Sequence, residues 1–308
     1  MSQFAQQLVN GLVIGALYGL IALGYTMVYG IIQLINFAHG EIFMVGAFGG
    51  LAVHRYVLPD GTPAVIALVV VLVAAMATSS TTALIVERFA YRPLRNAPRL
   101  APLITAIGVS LFLQELIRFH YFGGGALSDQ PFPRYIGGSD ITVLGIRIQP
   151  VALFTIVVSV LLMVALSTFV RKSRTGKAMQ ATAQDRDTAK LMGIDTDRII
   201  VVAFILGAAL AAVAGVMQGM IVTNIGARMG FLAGLKAFTA AVLGGIGNIA
   251  GAVLGGFVLG ITEVMAQQYI PHPFGGGAWK DVWAFVLLIG ILVFRPQGLL
   301  GERVVNRA

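Results

Sequence analysis

Cysteine is absent from all 308 residues, which excludes a disulfide framework and a thiolate metal centre. Charge is nearly as scarce. Asp, Glu, Lys and Arg make up 11% of the chain, against about 25% in a soluble domain. Catalytic signatures are missing too. There is no G-x-x-x-x-G-K-[ST] phosphate loop: at the one Gly-Lys, Gly176-Lys177, Arg171 stands where the first glycine belongs and Ala178 follows the lysine. The chain is not expected to bind or hydrolyse ATP itself. H-E-x-x-H and G-x-S-x-G are also absent, which argues against an intramembrane enzyme. The pair His39-x-Glu41 lacks a third ligand nearby, so no metal and no cofactor is expected. The opening MSQFAQQ has no positive n-region, and a cleaved signal peptide is not expected.

What fills the chain is apolar. Hydrophobic residues make up 57% and the mean hydropathy is +0.87, the composition of a protein that crosses a bilayer several times. Uncharged stretches run over 8–32, 42–53, 64–86, 100–114, 148–170, 199–223, 237–262 and 282–294. A full transmembrane helix needs about 20 apolar residues, and most of these qualify with their flanks. The expected fold is an all-α polytopic membrane protein with about eight membrane segments, some of them broken or re-entrant.

The net charge of +8 does not point to nucleic acid, because the basic residues sit in short loops between apolar spans. Four lie in 87–99 (Arg88, Arg92, Arg95, Arg99) and seven in 171–198 (Arg171, Lys172, Arg174, Lys177, Arg186, Lys190, Arg198). Three more lie after 294 (Arg295, Arg303, Arg307), which together makes two thirds of the 21 in the chain. The positive-inside rule predicts that these segments and the C-terminus are cytoplasmic. Segment 115–149, with three basic and three acidic residues, is predicted to be periplasmic. So is 263–281, where Trp279 and, just beyond it, Trp283 fit an interfacial belt. Counting crossings puts the N-terminus on the periplasmic side. It also requires 237–262 to begin and end there. Its 26 residues are too few for two full helices, and its middle reads GGIGN, Gly244 to Asn248. Two short helices meeting at a break within the membrane are predicted; such backbone is tolerated where it is buried in protein or lines a wet cavity. Arg228 and Lys236 sit awkwardly in that assignment. Gly11, Gly15 and Gly19, Gly251 with Gly255, and Gly256 with Gly260 repeat at the four-residue spacing that lets helices approach closely in lipid.

Two segments carry chemistry. INFAHGEIF (35–43) packs Asn36, His39 and Glu41 around Gly40 between apolar stretches. It is either a tight inner loop with a snorkelling glutamate or a discontinuous helix beside a polar path. In the second case Asn36 caps a helix resuming near residue 38, Glu41 sits at the positive end of its dipole, and His39 can hydrogen-bond either. Segment 171–198 holds a predicted helix over Lys177 to Met192, ended by Gly193, with Ala178, Ala181, Ala189 and Met192 on one face. Physics alone allows a solvated connector on lipid headgroups or a docking helix for a partner. Glu263 is a candidate for the periplasmic mouth, or an ordinary helix-end charge.

The stretches GYTMVYGIIQLINFAHGEIFMVGAF (24–48), SRTGKAMQATAQDRDTAKLMGID (173–195) and KAFTAAVLGGIGNIAGAVLGG (236–256) resemble the LivH-type permeases of bacterial branched-chain amino acid ABC importers. The resemblance extends to ERFAYRPLR (87–95) and RPQGLLG (295–301). It implies a single transmembrane permease domain over 1–308, of the LivH/RbsC-like type, in the inner membrane. It also implies partners: a second homologous permease (LivM-like), two ATP-binding subunits (LivG/LivF-like) and a periplasmic amino-acid-binding protein. The loop at 171–198 then becomes the coupling segment, with Gly176, Lys177, Ala181, Asp185, Ala189, Leu191 and Gly193 facing the ATPase. Paired interruptions in transporters point to a central pathway. Asn36, His39, Gly40 and Glu41 are therefore expected to face Gly244, Gly245, Gly247 and Asn248 around it. Branched-chain amino acids are the expected substrates, with urea, short amides or other amino acids as the rivals. The competing class is a proton-coupled transporter working alone through His39, Glu41 or Glu263.

Overall fold

The computed structural model describes residues 2–34, 36–95, 97–98, 100–122, 129–143, 145–271 and 273–301. Arg99, Arg303 and Arg307 lie outside them, as do parts of the 115–149 segment.

Eleven α-helices are present among the described residues. Helix α1 (Ser2–Ile32) is followed by α2 (His39–Tyr56) and α3 (Ala64–Val86), which continues through a π turn (Glu87–Tyr91) and a 3₁₀ turn (Arg92–Leu94). Helix α4 (Leu100–Phe122) takes up the first part of the expected 115–149 loop. Short strands follow: β1 (Gln130–Pro131), then the hairpin of β2 (Ile141–Val143) and β3 (Ile146–Ile148). Helix α5 (Pro150–Lys172) leads into two short helices, α6 (Arg174–Gln184) and α7 (Arg186–Leu191). Helix α8 (Thr196–Val222) ends at β4 (Asn224–Ile225), which pairs antiparallel with β1. Helices α9 (Met229–Gly244), α10 (Ile249–Tyr269) and α11 (Lys280–Phe294) complete the bundle.

Six of the helices are long and apolar enough to cross a membrane, and α9 is a shorter apolar helix. Their burial sorts them. The apolar windows of α1 and α8 are 89% and 72% buried, whereas those of α3, α4 and α5 are under 30% buried. The bundle thus has α1, α2 and α8 inside and a shell whose outer faces carry exposed Val, Ile, Leu and Phe, as a lipid-facing surface does.

The glycine repeats explain how α1 becomes central. A Cβ on Gly11 or Gly15 would stand 2.7 Å from the Cα of Ile261 or Phe257, and one on Gly256 would meet the Gly19 backbone at 2.5 Å. The two helices run antiparallel with their backbones touching, a spacing open only to small residues. The second repeat serves the next contact: Gly251 and Gly255 of α10 face Gly244 and Ala240 of α9.

The structure revises the reading of 237–262. Helix α9 begins at Met229, and α10 is a full-length helix. The glycine segment 245–248 is the turn between them rather than a break part-way down. It lies at the same end as the basic segments. The N–H groups of Leu299 and Leu300 donate to the carbonyls of Leu243 and Gly244 (2.8 and 3.0 Å). Asn248 Nδ2 donates to the Leu300 carbonyl (2.8 Å), while its Oδ1 caps α10 by accepting from the Gly251 N–H (3.0 Å). Gly245 has φ 105 and Gly247 φ 93, backbone states that favour glycine.

Candidate functional site: a broken helix in the bundle interior

Helix α1 stops at Ile32, and Gln33 takes a left-handed φ of 53. The chain then turns back into the bundle, so that α2 starts beside the middle of α1 rather than at its end. Gly24 of α1 lies directly under the His39 imidazole, with Gly207 of α8 behind it. Of the two readings of INFAHGEIF, the discontinuous helix is the one the structure contains.

Asn36, His39 and Glu41 are each at most 2% exposed. Asn36 does not cap α2 with its side chain. Its Oδ1 accepts from the Tyr91 hydroxyl (2.7 Å), on the π turn after α3, and only its backbone carbonyl meets the His39 N–H (3.0 Å). Tyr91 competes successfully because it too is buried and needs an acceptor. The His39 ring packs edge-on against Tyr25 at 4.8 Å and bonds the Ile21 carbonyl, not Asn36 or Glu41. Glu41 sits in the first turn of α2, where the helix dipole favours an anion. Its Oε1 accepts from Ser110 Oγ (3.1 Å) and Gln114 Nε2 (2.8 Å) of α4. Gly40 has no room for a side chain: a Cβ would overlap the Gly230 carbonyl and stand 2.8 Å from the Gly234 Cα, so α2 and α9 cross backbone to backbone.

The break keeps unused hydrogen-bonding capacity. Asn36 Nδ2, His39 Nε2 and Glu41 Oε2 are buried with no partner among the described residues. A buried orphan costs about 1–3 kcal/mol, so three in one place mark a site. No group of three His, Asp or Glu side chains that could hold a metal occurs among the described residues.

The two breaks do not face each other. Gly40 meets Gly230 and Gly234 near the start of α9, while Gly244 is its last residue. At 1.5 Å per residue they stand roughly 15–21 Å apart along that helix.

At the basic end, Arg92, Arg95 and Arg186 converge on Asp197 at 3.2, 2.5 and 3.2 Å, and Arg95 also pairs with buried Glu87. These contacts fasten the ERFAYRPLR elbow to the 171–198 segment. The single helix expected over 177–192 is two helices, because the Asp185 carboxylate accepts from the N–H groups of Asp187 and Thr188 and starts α7 anew. The break rotates the two halves, so Ala189 is buried while Met192 is 78% and Leu191 87% exposed. Ala178 and Ala181 are half-buried, Lys177 is exposed, and Gly176 presses on the Val170 carbonyl. Gly193 follows α7 with φ 82.

Sequence reasoning missed a buried charge cluster. Glu263 is not a helix-end charge at a mouth: it is 2% exposed. Its Oε1 meets Lys236 Nζ at 2.7 Å and its Oε2 accepts from the Tyr18 hydroxyl at 2.9 Å. Lys236 also contacts Asp281 at 2.5 Å. The cluster ties α1, α9, α10 and α11 together. Opposite charges at 236, 263 and 281 in otherwise apolar stretches were the available signal.

Comparison with known proteins decides what kind of transporter component this is. Residues 7–292 match the family described as branched-chain amino acid transport system, permease component. The chain belongs to that family. The permease is 43% identical to the high-affinity branched-chain amino acid transport system permease protein BraD of Pseudomonas aeruginosa, over 99% of this chain and 98% of that one. It is 42% identical to the LivH permease of the corresponding system in Escherichia coli K12, over 99% and 97%. Among solved structures, a chain of PsaBC from Streptococcus pneumoniae in complex with Fab superposes with a TM-score of 0.51 at 14% identity, covering 94% of the permease and 91% of that chain. That likeness speaks for the fold alone.

Proposed function

We propose that this permease is the membrane subunit of an ATP-driven importer that carries leucine, isoleucine and valine into the cytoplasm. The observation that carries the proposal is identity above 40% along nearly the whole chain to permeases named for high-affinity branched-chain amino acid transport. The whole chain acts as one permease domain in the inner membrane. It pairs with a second, LivM-like permease, two LivG/LivF-like ATP-binding subunits and a periplasmic binding protein. The basic end is cytoplasmic and the N-terminus periplasmic.

Two features support the division of labour. The basic end presents exposed Leu191 and Met192 on the same 171–198 segment as exposed Lys177 and Asp185, apolar side chains in a charged segment that suit a protein partner. Gly176, Ala181, Ala189 and Gly193 shape the backbone that presents it. The broken helix at 36–41 and the turn at 244–248 supply the interruptions that let the path open and close, at different heights along α9.

The test is ATP-dependent uptake of radiolabelled leucine into proteoliposomes holding the purified complex. Uptake that needs ATP and the binding protein, and that unlabelled isoleucine and valine suppress, is expected. Uptake driven by a proton gradient in vesicles holding this chain alone would overturn the proposal and make His39 and Glu41 a proton path.

A further inference from the structure

A cavity at the end opposite the basic segments lies between the C-terminus of α2, the 57–63 loop and the segment after β1. It measures about 590 Å³, within the range of about 300–1,000 Å³ typical of small-molecule sites. Its lining mixes apolar Leu51, Leu58 and Phe132 with charged Arg55, Arg134 and Asp60.

The charged groups are held at the cavity with capacity to spare. Arg134 donates from Nε and Nη2 to the Met220 and Ile221 carbonyls at the end of α8 (3.2 and 3.3 Å), which fixes the guanidinium and leaves Nη1 unused. Arg55 Nη2 donates to Gln130 Oε1 (3.1 Å). Asp60 is exposed and makes no hydrogen bond or ion pair among the described residues. Two further wall residues, His54 and Tyr135, pack edge-on at 5.5 Å, and His54 Nδ1 and Tyr135 Oη are buried without a partner. Two fixed cations, one carboxylate without a partner among the described residues and apolar lining in one cavity match the three parts of a zwitterion with an apolar side chain.

We infer that this cavity is a binding site for a free aliphatic α-amino acid, holding its carboxylate on Arg55 and Arg134, its ammonium on Asp60 and its side chain against Leu51, Leu58 and Phe132. The inference rests on the importer reading for the class of ligand. Planar guanidiniums suit carboxylates, and a ligand that meets all three parts is favoured over one that meets two. Because the charged groups are partly open to water, each pair contributes little. The site is accordingly weak, with half-saturation on the order of 1 mM, as suits a staging site. It is also continuous with the broken helix: α2 begins at His39 and ends at the cavity wall with His54 and Arg55.

The test is ligand-observed saturation-transfer NMR with L-leucine on the assembled complex in nanodiscs, without binding protein. L-leucine is expected to give a saturable signal. Leucine amide, which lacks the carboxylate, and 4-methylpentanoate, which lacks the ammonium, should each bind about three- to fivefold more weakly. Asp60→Asn and Arg55→Gln should weaken leucine about three- to fivefold; Asp60 has no partner among the described residues to lose, so that variant is expected to fold as the parent does. Absence of a saturable leucine signal, or unchanged binding in both variants, overturns the inference. So does a pattern in which direct binding is absent and Asp60→Asn instead weakens association of the binding protein, which would make the cavity a docking socket. The two readings separate cleanly. ATP-driven leucine uptake with no direct binding removes the cavity site and leaves the importer standing, and charge-dependent leucine binding in a complex that does not transport leucine does the reverse.

Discussion

Removing Lys236 should destabilise the permease more than removing any charge on its surface. The ammonium and the Glu263 carboxylate are 7% and 3% exposed and stand 2.7 Å apart. At an effective dielectric of about 20 their gross attraction is about 6 kcal/mol, most of which offsets the desolvation of the two ions. Replacing Lys236 with leucine keeps Glu263 buried, with the Tyr18 hydroxyl as its remaining partner. Breaking a buried pair in this way costs about 3–5 kcal/mol. At roughly 2 °C per kcal/mol for a chain of this size, the apparent Tm should fall by about 6–10 °C, read by the temperature dependence of the monodisperse size-exclusion peak in detergent. The double variant Lys236→Leu/Glu263→Leu removes both ions. Asp281, 32% exposed, still reaches water, and only the Tyr18 hydroxyl is left orphaned. Its loss should be about 1–2 kcal/mol, well below the sum of the singles. A single variant within about 2 °C of the parent, or a double variant as unstable as the sum of the two singles, would refute the pair as drawn.

Gly40→Ala forces a methyl group against the Gly230 carbonyl, a backbone atom that cannot swing aside, so a loss of about 1–3 kcal/mol and a steep loss of uptake are expected from the same thermal and transport assays. Glu41→Gln keeps an acceptor for Ser110 and Gln114 and should cost under about 1 kcal/mol. Glu41→Leu strands the Ser110 hydroxyl and leaves Gln114 only its bond to Ser110 Oγ; it should cost about 1–3 kcal/mol, so equal Tm values for the two would refute the assigned hydrogen bonds. Asp185 is held below the ordinary carboxylate range chiefly by the Thr188 N–H, with the Thr188 hydroxyl adding to it. A lowered pKa means that its cap is fully present above the ordinary carboxyl range and fades as pH falls through the lowered value. Hydrogen exchange of residues 186–191 should therefore be pH-independent in protection factor from neutrality to about pH 5 and lose protection below about pH 4, whereas Asp185→Ala should lose it at every pH.

Much of the architecture was legible because membranes impose long uncharged helices, and each of the eight apolar stretches contains or overlaps a bundle helix. The four-residue glycine repeats marked faces for close helix approach, and the structure pairs them as the α1–α10 and α9–α10 contacts. What escaped were pairings between distant positions. Asn36 looked like a local cap, yet its side chain is claimed by Tyr91, 55 residues away. Crossing counts could show that 237–262 reverses but not that the C-terminal tail fastens the turn at the basic end, since that depends on Leu299 and Leu300 meeting Leu243 and Gly244. The split at Asp185 was readable: an aspartate ahead of Asp187-Thr188 is a helix start signal, outweighed in the reading by the run of helix formers around it. The candidate site was legible as a cluster of polar residues but not as a set of unpartnered atoms, which only the packed bundle reveals.

Helix α9 gives the buried cluster its meaning. In 16 residues, about 24 Å, it touches the broken helix through Gly230 and Gly234, the charge cluster through Lys236, and the C-terminal tail through Gly244. An apolar replacement of a buried ion pair is often neutral or stabilising, so stability alone does not account for Lys236 and Glu263. What a pair at 2.7 Å fixes, and a leucine pair does not, is the register of α9 against α10 and, through Asp281, of α11. Smooth backbone contacts such as Gly244 on Gly251 and Ala240 on Gly255 allow sliding that a directional bond forbids. If register is what the pair holds, Lys236→Leu/Glu263→Leu should remain monodisperse, with a Tm only about 2–4 °C below the parent, while ATP-driven leucine uptake falls at least tenfold. ATP hydrolysis by the assembled complex should persist, no longer tied to transport. A double variant that is both stable and fully active would show that the cluster serves packing only, and that the coupling of α9 to its neighbours lies in the glycine contacts.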